Sequence, residues 1–148
     1  MATMGPAGDV SVVIVNFNTK NALRRCLLSL DEAVEVIVVD NGSTDGSVEM
    51  LQEFSHARLI QNSANRGFGA ANNQGIQAAT RPLVLLLNSD AYATRGSVSI
   101  LASVFADEGV AAAGGMLLNL DGSLQESCAN ELTLWAVFLR AVVAREIV

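Results

Sequence analysis

The sequence predicts an α/β fold, a doubly wound and mostly parallel sheet with helices on both faces. Three observations lead there. Continuous apolar runs, not alternating ones, recur along the first two thirds of the chain. Each stops at a polar or glycine-rich cluster. Each cluster is followed by a segment with helical periodicity or good helix propensity. Strands buried on both faces and separated by helices are joined by right-handed crossovers, which makes the sheet parallel.

Residues 10–15 (VSVVIV) form the first expected strand, ending at Asn16, Phe17, Asn18 and Thr19. In the helix after it, Leu23, Cys26, Leu27 and Leu30 fall at i, i+3, i+4 and i+7, one face that should cover the sheet. Residues 36–39 form a second strand, stopped by the turn-forming run 40–46 (DNGSTDG), with a helix from about 47 to 54. Residues 58–61 make a short third strand, 62–69 a loop, and 70–79 an alanine-rich helix, after which Pro82 punctuates the chain. Residues 83–87 (LVLLL) form a fourth buried strand, and Val98, Leu101, Ala102 and Phe105 mark the next helix. Beyond it, 110–113 and 116–118 are expected to be strands, and the turn chemistry of 119–122 (NLDG) to reverse the chain toward Leu124.

The chain's 148 residues, 51% hydrophobic and 16% charged, suit a single domain with a real core. A formal net charge of −6, with no cluster of Lys and Arg, excludes nucleic acid as a partner. Cys26 and Cys128 lie far apart without histidines at ligand spacing, so neither zinc nor a disulfide framework is expected, and a reducing cytoplasm fits. Residues 1–9 read as a disordered lead and not a signal peptide, 10–127 as the core, and 128–148 as a C-terminal helical segment. Within 132–148 the charges of Arg140, Arg145 and Glu146 argue against a membrane span. Trp135, Phe138, Leu139 and Val142 recur there at helical spacing, which offers a surface for packing, for a homodimer or for peripheral membrane association. His56 has no partner in register and reads as a surface residue.

Open sheets of this kind bind ligands beyond the carboxyl ends of their strands, where strand order reverses. Three strands deliver 16–19, 40–45 and 88–90 onto that rim. Asp40, read as the first residue after its strand, offers a carboxylate to a base N–H or a ribose hydroxyl. The alternative is that Asp40 and its neighbours make Asx turns, with Ser43 or Asp45 capping the next helix. Arg66 and Gly67 precede a run of small residues at a helix start, where backbone N–H groups favour a diphosphate; the alternative is a glycine turn with Arg66 solvated. Asn88, Ser89 and Asp90 end a strand, where a carboxylate suits a divalent cation bridging phosphates, or else make a turn or cap.

The segments 38–47 (VVDNGSTDGS), 65–75 (NRGFGAANNQG) and 86–90 (LLNSD) together resemble the family 2 glycosyltransferases of GT-A, Rossmann-like fold, over roughly 10–127. The wording is most similar to a bacterial rhamnosyltransferase-like branch. The resemblance implies inverting transfer of a sugar from a nucleoside diphosphate donor, dTDP-rhamnose or a UDP-sugar, to a hydroxyl of a glycan or lipid-linked acceptor. That chemistry belongs to cell-surface polysaccharide synthesis in the cytoplasm or at the cytoplasmic face of the membrane. It further implies that Asn16 and Asn18 flank the nucleotide pocket and that Asp40 contacts the base. Asn41, Ser43, Asp45, Arg66, Gly67, Asn72 and Ser89 then lie on the donor side, and Asp90 with Asn88 holds Mg2+ or Mn2+.

Two departures stand out. The family's Asp-Xaa-Asp metal motif is Asn88-Ser89-Asp90 here, which leaves one carboxylate. The acidic motif that supplies the catalytic base has no counterpart, since Glu126, Glu131 and Glu146 stand alone. No catalytic residue is therefore assigned, and the acceptor half is expected to be missing, with donor binding kept and transfer poor or lost. A nucleotide-sugar-binding module without catalysis is the alternative. A dehydrogenase is remote because the glycine fingerprint is absent after Val15. A receiver domain would want an acidic pair where Asn16 to Thr19 stand.

Overall fold

The computed structural model describes residues 7–30 and 34–125. The chain forms two compact units, Met1–Ala113 and Gly114–Val148. In the first unit, β1 (Val10–Asn16), α1 (Lys20–Leu28), β2 (Glu35–Asp40), α2 (Ser47–Leu51), β3 (Ala57–Gln61), α3 (Phe68–Ala78), β4 (Leu83–Asn88) and α4 (Ser97–Ser103) follow in order. The four strands are parallel and lie in the order β3-β2-β1-β4. The α/β architecture is as the sequence predicts.

Alternation along the strands divides the core in two. Val12 and Ile14 of β1, with Val36 and Val38 of β2, pack on Leu23, Cys26, Leu27, Met50, Leu51, Val98 and Ala102 from α1, α2 and α4. On the opposite face Ile37 and Val39 pack on Ala71 of α3. Gly75 lets α3 approach this closely, because a methyl group there would overlap Cγ1 of Val13. Helices thus cover both faces, and the i, i+3, i+4 face of α1 is the buried one. Leu30 lies past the end of α1 but still packs on the core.

Element ends depart from expectation for local reasons. Asp40 is the last residue of β2, not the first after it. α2 stops at Leu51, where a turn takes over and still buries Phe54. α3 begins at Phe68, capped by Gly67 with φ 84°. β4 is buried on one face only: Leu83, Leu85 and Leu87 join the core, while Val84 is 39% and Leu86 49% exposed. Among the described residues it is an edge strand, and α3 packs on β1 and β2 instead.

Within the expected disordered lead, Ala7–Asp9 forms a 3-10 turn with Ala7 buried, and 1–6 lie outside the described residues. The expected strands at 110–113 and 116–118 do not form among the described residues. A single antiparallel bridge joins Leu118 to Leu124 across the expected turn, where Gly122 N–H donates to Asn119 O (2.9 Å) at φ 82°. Among the described residues no strand lies beside Met116, Leu117 and Leu118, and all three are exposed. The expected C-terminal helix, its dimer or membrane surface, and Cys128 lie outside the described residues. Among the described residues no helix is long and apolar enough to cross a membrane.

Candidate functional site

Register decides what meets at the rim. Asn16 lies opposite Asp40, Asp40 opposite Gln61, and Val15 opposite Asn88, so the carboxyl ends of all four strands are level. Strand order reverses at β1, with β2 and β3 on one side and β4 on the other. At that reversal opens a cleft of about 290 Å3 lined by Val15, Phe17, Thr19, Asn41, Asn65, Phe68, Asn88, Ser89 and Asp90. A second pocket of about 50 Å3, half open and lined mostly by apolar residues of β4 and α4, is too small for a nucleotide.

From the tip of β2 toward β4 the rim is held by a hydrogen-bonded series that starts at a carboxylate. Asp40 is fully buried; its Oδ1 accepts from the N–H groups of Gly42 (3.1 Å) and Ser43 (2.8 Å), and its Oδ2 from Asn16 Nδ2 (2.7 Å). Asn16 Nδ2 also donates to Ser43 Oγ (3.0 Å), which accepts from Asn18 N–H as well (2.9 Å). Asn16 Oδ1 accepts from Thr19 Oγ1 (2.6 Å), which lies 2.8 Å from Ser89 Oγ. Asn18 Oδ1 accepts from Thr44 N–H and Asp45 Oδ2 from Lys20 N–H, each at 2.8 Å, so the loops after β1 and β2 are laced together. Asp45 Oδ1 also accepts from Ser47 N–H (3.0 Å) and Ser47 Oγ, an Asx turn one residue ahead of the Gly46 cap. Burial raises the Asp45 pKa, but the bonds from Ser47 and Lys20 outweigh it and hold the carboxyl below its ordinary value.

From the tip of β2 toward α3 the rim is held by amides. Asn62 Nδ2 donates to Asn41 Oδ1 (3.0 Å) and to Gln74 Oε1 (2.8 Å), and Gln74 Nε2 returns a bond to Asn62 Oδ1 (3.0 Å). Asn41 Nδ2 donates to Asn65 Oδ1 (3.2 Å) and to Gly67 O (3.4 Å), while Gly67 N–H donates to Asn65 Oδ1 (2.8 Å). This ladder fixes the loop before α3 from below.

The structure therefore brings Asn16, Asn18, Asp40, Ser43 and Ser89 into one network, leaves Asp45 beside it on Lys20 and Ser47, and puts Asn41, Asn88, Ser89 and Asp90 on the cleft. Asp40 does not line the cleft; its side chain shapes the rim from within. Asn72 is buried and donates back to Phe68 O (3.1 Å) within α3, and Arg66 is exposed. Phe17, Thr19, Asn62, Asn65, Phe68 and Gln74 carried no assigned role in the sequence reading. Two of them signal only by exposure, Phe17 at 46% and Phe68 at 59%, which no sequence pattern reveals.

A model of glycosyl transferase family 2 matches residues 11–126 of this chain. The chain belongs to that family. Family relatives include an uncharacterised glycosyltransferase of Escherichia coli, YibD, 35% identical over 95 residues that cover 59% of this chain and 27% of that protein. Another is the low-salt glycan biosynthesis hexosyltransferase Agl10 of Haloferax volcanii, 28% identical over 134 residues, 86% of this chain and 43% of that one. This chain spans less than half the length of the curated relatives it matches. The fold matches a mannosyltransferase of Pyrobaculum calidifontis, solved with GDP-Man and Mn2+, at TM-score 0.63 and 23% identity over 70% of this chain and 35% of that one.

In this family member the candidate cation position is Asp90. Its side chain is exposed on the cleft and has no basic partner among the described residues. Below it, burial, with the Asp90 charge adding, pushes the Cys26 thiol up to about 12. Cys26 Sγ donates to Asn88 O (3.7 Å) and so acts as a neutral anchor for the strand end. No group of three or more His, Cys, Asp or Glu gathers among the described residues. Asp90 and Asn88, both on the cleft, are oxygen-bearing side chains that fit Mg2+ or Mn2+ whose other ligands are phosphate and water, and not a closed zinc site.

Proposed function

We propose that the cleft between β1 and β4 binds a nucleoside diphosphate sugar with a divalent cation, for transfer of the sugar to an acceptor hydroxyl with inversion. The observation that carries this reading is the polar rim at the strand-order reversal, closed by Asp90, which has no basic partner among the described residues. Family membership and the fold shared with a mannosyltransferase solved with GDP-Man and Mn2+ support it.

In this reading Asn41 and the aromatic rings of Phe17 and Phe68 bound the nucleotide, with Arg66 and the start of α3 beside the diphosphate. Asp40 acts by fixing Asn16 and the 42–43 backbone, and so orients what the nucleotide meets. Asp90 and Asn88 would hold the Mg2+ or Mn2+, which supplies charge neutralisation for a departing diphosphate. Asp90 is the single carboxylate lining the cleft among the described residues, so the base that takes the acceptor proton is assigned outside them. A glycan or lipid-linked acceptor in cell-surface polysaccharide synthesis, and dTDP-rhamnose or a UDP-sugar as donor, remain the proposed substrates.

Titration calorimetry with UDP, dTDP and GDP, each with and without Mn2+, and with NAD as the contrast, tests the reading. Metal-dependent binding of a nucleoside diphosphate, lost in Asp90→Ala, is expected. Binding of NAD in preference to all three would overturn it. Transfer assays with the whole chain then separate an enzyme from a donor-binding module.

A further inference from the structure

We infer that Thr19 is a positioning residue that couples the cation side of the cleft to the nucleotide side, by fixing Ser89 as a hydrogen-bond acceptor toward any ligand. The inference rests on the donor-binding reading above and names how its two halves communicate.

The directions of the bonds follow from chemistry. Asp40, as a carboxylate, only accepts, and three donors converge on it: Gly42 N–H, Ser43 N–H and Asn16 Nδ2. That settles which end of the Asn16 amide faces β2, so its Oδ1 faces Thr19. An amide oxygen has no proton to give, and the Thr19 hydroxyl therefore donates to Asn16. A hydroxyl carries one proton. With that proton committed, Thr19 can meet Ser89, 2.8 Å away, only by accepting. Ser89 must then donate to Thr19.

The series thus runs one way, from Ser89 through Thr19 and Asn16 to Asp40, across the tips of β4, β1 and β2. Its far end is Ser89, the residue between Asn88 and Asp90. Having given its proton inward, Ser89 presents only lone pairs to the cleft. It can accept from a sugar or ribose hydroxyl, or from a water on the cation, and cannot donate to a phosphate oxygen. Bonds in such a chain polarise one another, so a ligand that loads Ser89 strengthens the hold on Asn16. Among the described residues Thr19 is the link between Ser89 and Asn16: without its hydroxyl the Asn16 amide stays fixed by Asp40, while Ser89 is free to turn its proton toward the ligand.

The test is a calorimetric cycle on the whole chain, with UDP and GDP as probes and Mn2+ as the cation. The factor by which Mn2+ tightens nucleotide binding is measured for wild type, Thr19→Val, Thr19→Ser and Ser89→Ala. This factor is a coupling between two ligands and is reciprocal, so it moves only if the link between their sites moves. Thr19→Val is expected to lower it about tenfold, within the usual range of such couplings. Thr19→Ser, which keeps the hydroxyl, should restore it. Ser89→Ala cuts the same link from the other end, leaves Thr19 bonded to Asn16, and should lose the coupling too. If Thr19→Val does not fold, an unchanged factor in Ser89→Ala overturns the inference by itself. If wild type couples Mn2+ to nucleotide and both variants couple it equally well, Thr19 has no such role and the donor-binding reading survives. If wild type binds neither nucleotide, the donor-binding reading fails and this inference fails with it.

Discussion

Between the tips of β2 and β4 the cleft is held by a carboxylate, an amide and two hydroxyls, whereas between the tip of β2 and the start of α3 it is held by four side-chain amides. The first series takes its direction from Asp40, a side chain that can only accept. The second takes its direction from backbone, because Gly67 N–H must donate to Asn65 and Gly67 O must accept from Asn41. An order imposed by one buried side chain can be lost in one substitution. An order imposed by the main chain, and shared among Asn41, Asn62, Asn65 and Gln74, is harder to remove and does not titrate. The two sides of one rim therefore differ in how their stability is concentrated.

The sharpest test of that difference is Asp40→Asn. It keeps the shape but sets an NH2 group against donors that all point inward, leaving at least one buried N–H unpaired. A loss of about 3 kcal/mol in urea unfolding is expected, since unsatisfied buried donors cost roughly 1–3 kcal/mol each and a charge-assisted bond is lost as well. A loss below about 1 kcal/mol would mean that the series does not depend on its carboxylate.

Next in size is Gly75→Ala, which strikes the amide side through packing and not through its hydrogen bonds. The added methyl meets Val13, a β-branched residue in the central strand with little room to yield. Overpacking of this kind costs about 2 kcal/mol, and it should push α3, and Gln74 with it, away from the sheet. Melting curves give the loss. If nucleotide affinity falls while Mn2+ affinity in its absence is kept, the damage is confined to the amide side.

How much of this was legible in the sequence follows from what each signal measures. Apolar runs such as 10–15 and 36–39 report burial, and burial by a parallel sheet is what they received. The run 83–87 reads the same way yet stands at an edge among the described residues, with Val84 and Leu86 exposed, because a run of leucines does not say which face a neighbour covers. Among the described residues the segments 110–113 and 116–118 meet no partner strand, and strand propensity is fulfilled by a partner. Within the site, Asp40 was found by its place at a strand end, but the direction of its side chain was not. The same turn chemistry that makes Asp and Asn frequent there lets them point inward as easily as outward. Thr19, Asn62 and Gln74 carry no signal of their role in the sequence, because Ser89, Asn41 and Asn62, to which they bond, lie 70, 21 and 12 positions away, and spacing along the chain carries no trace of that.

A smaller effect is expected from Asn62→Ala. It removes the node of the ladder, but Asn41 keeps its bonds to Asn65 and Gly67, so the loop before α3 stays tied to β2. About 1 kcal/mol is expected in urea unfolding, the usual worth of a neutral hydrogen bond with partial compensation by water. A loss as large as that of Asp40→Asn would erase the contrast between the two sides.

The smallest effect is also the one that separates the two sides by kind. Asp45 belongs to the charged side, where Ser47 and Lys20 N–H hold its pKa below the ordinary value against the opposing pull of burial. A carboxyl whose pKa is lower folded than unfolded adds stability that is present above the unfolded value, about 4, and is lost as pH falls through the lowered one. The stability gap between wild type and Asp45→Asn should therefore be constant from neutral pH down to about 5 and close progressively below about 4. Glu35, at the other end of the sheet, is lowered too, but both chains carry it and its contribution cancels. The gap between wild type and Asn62→Ala involves no ionising group and should hold its size over the same range. Urea unfolding of the three chains at a series of pH values decides the matter, and an Asp45→Asn gap that widens on acidification would reverse the sign assigned to that carboxylate.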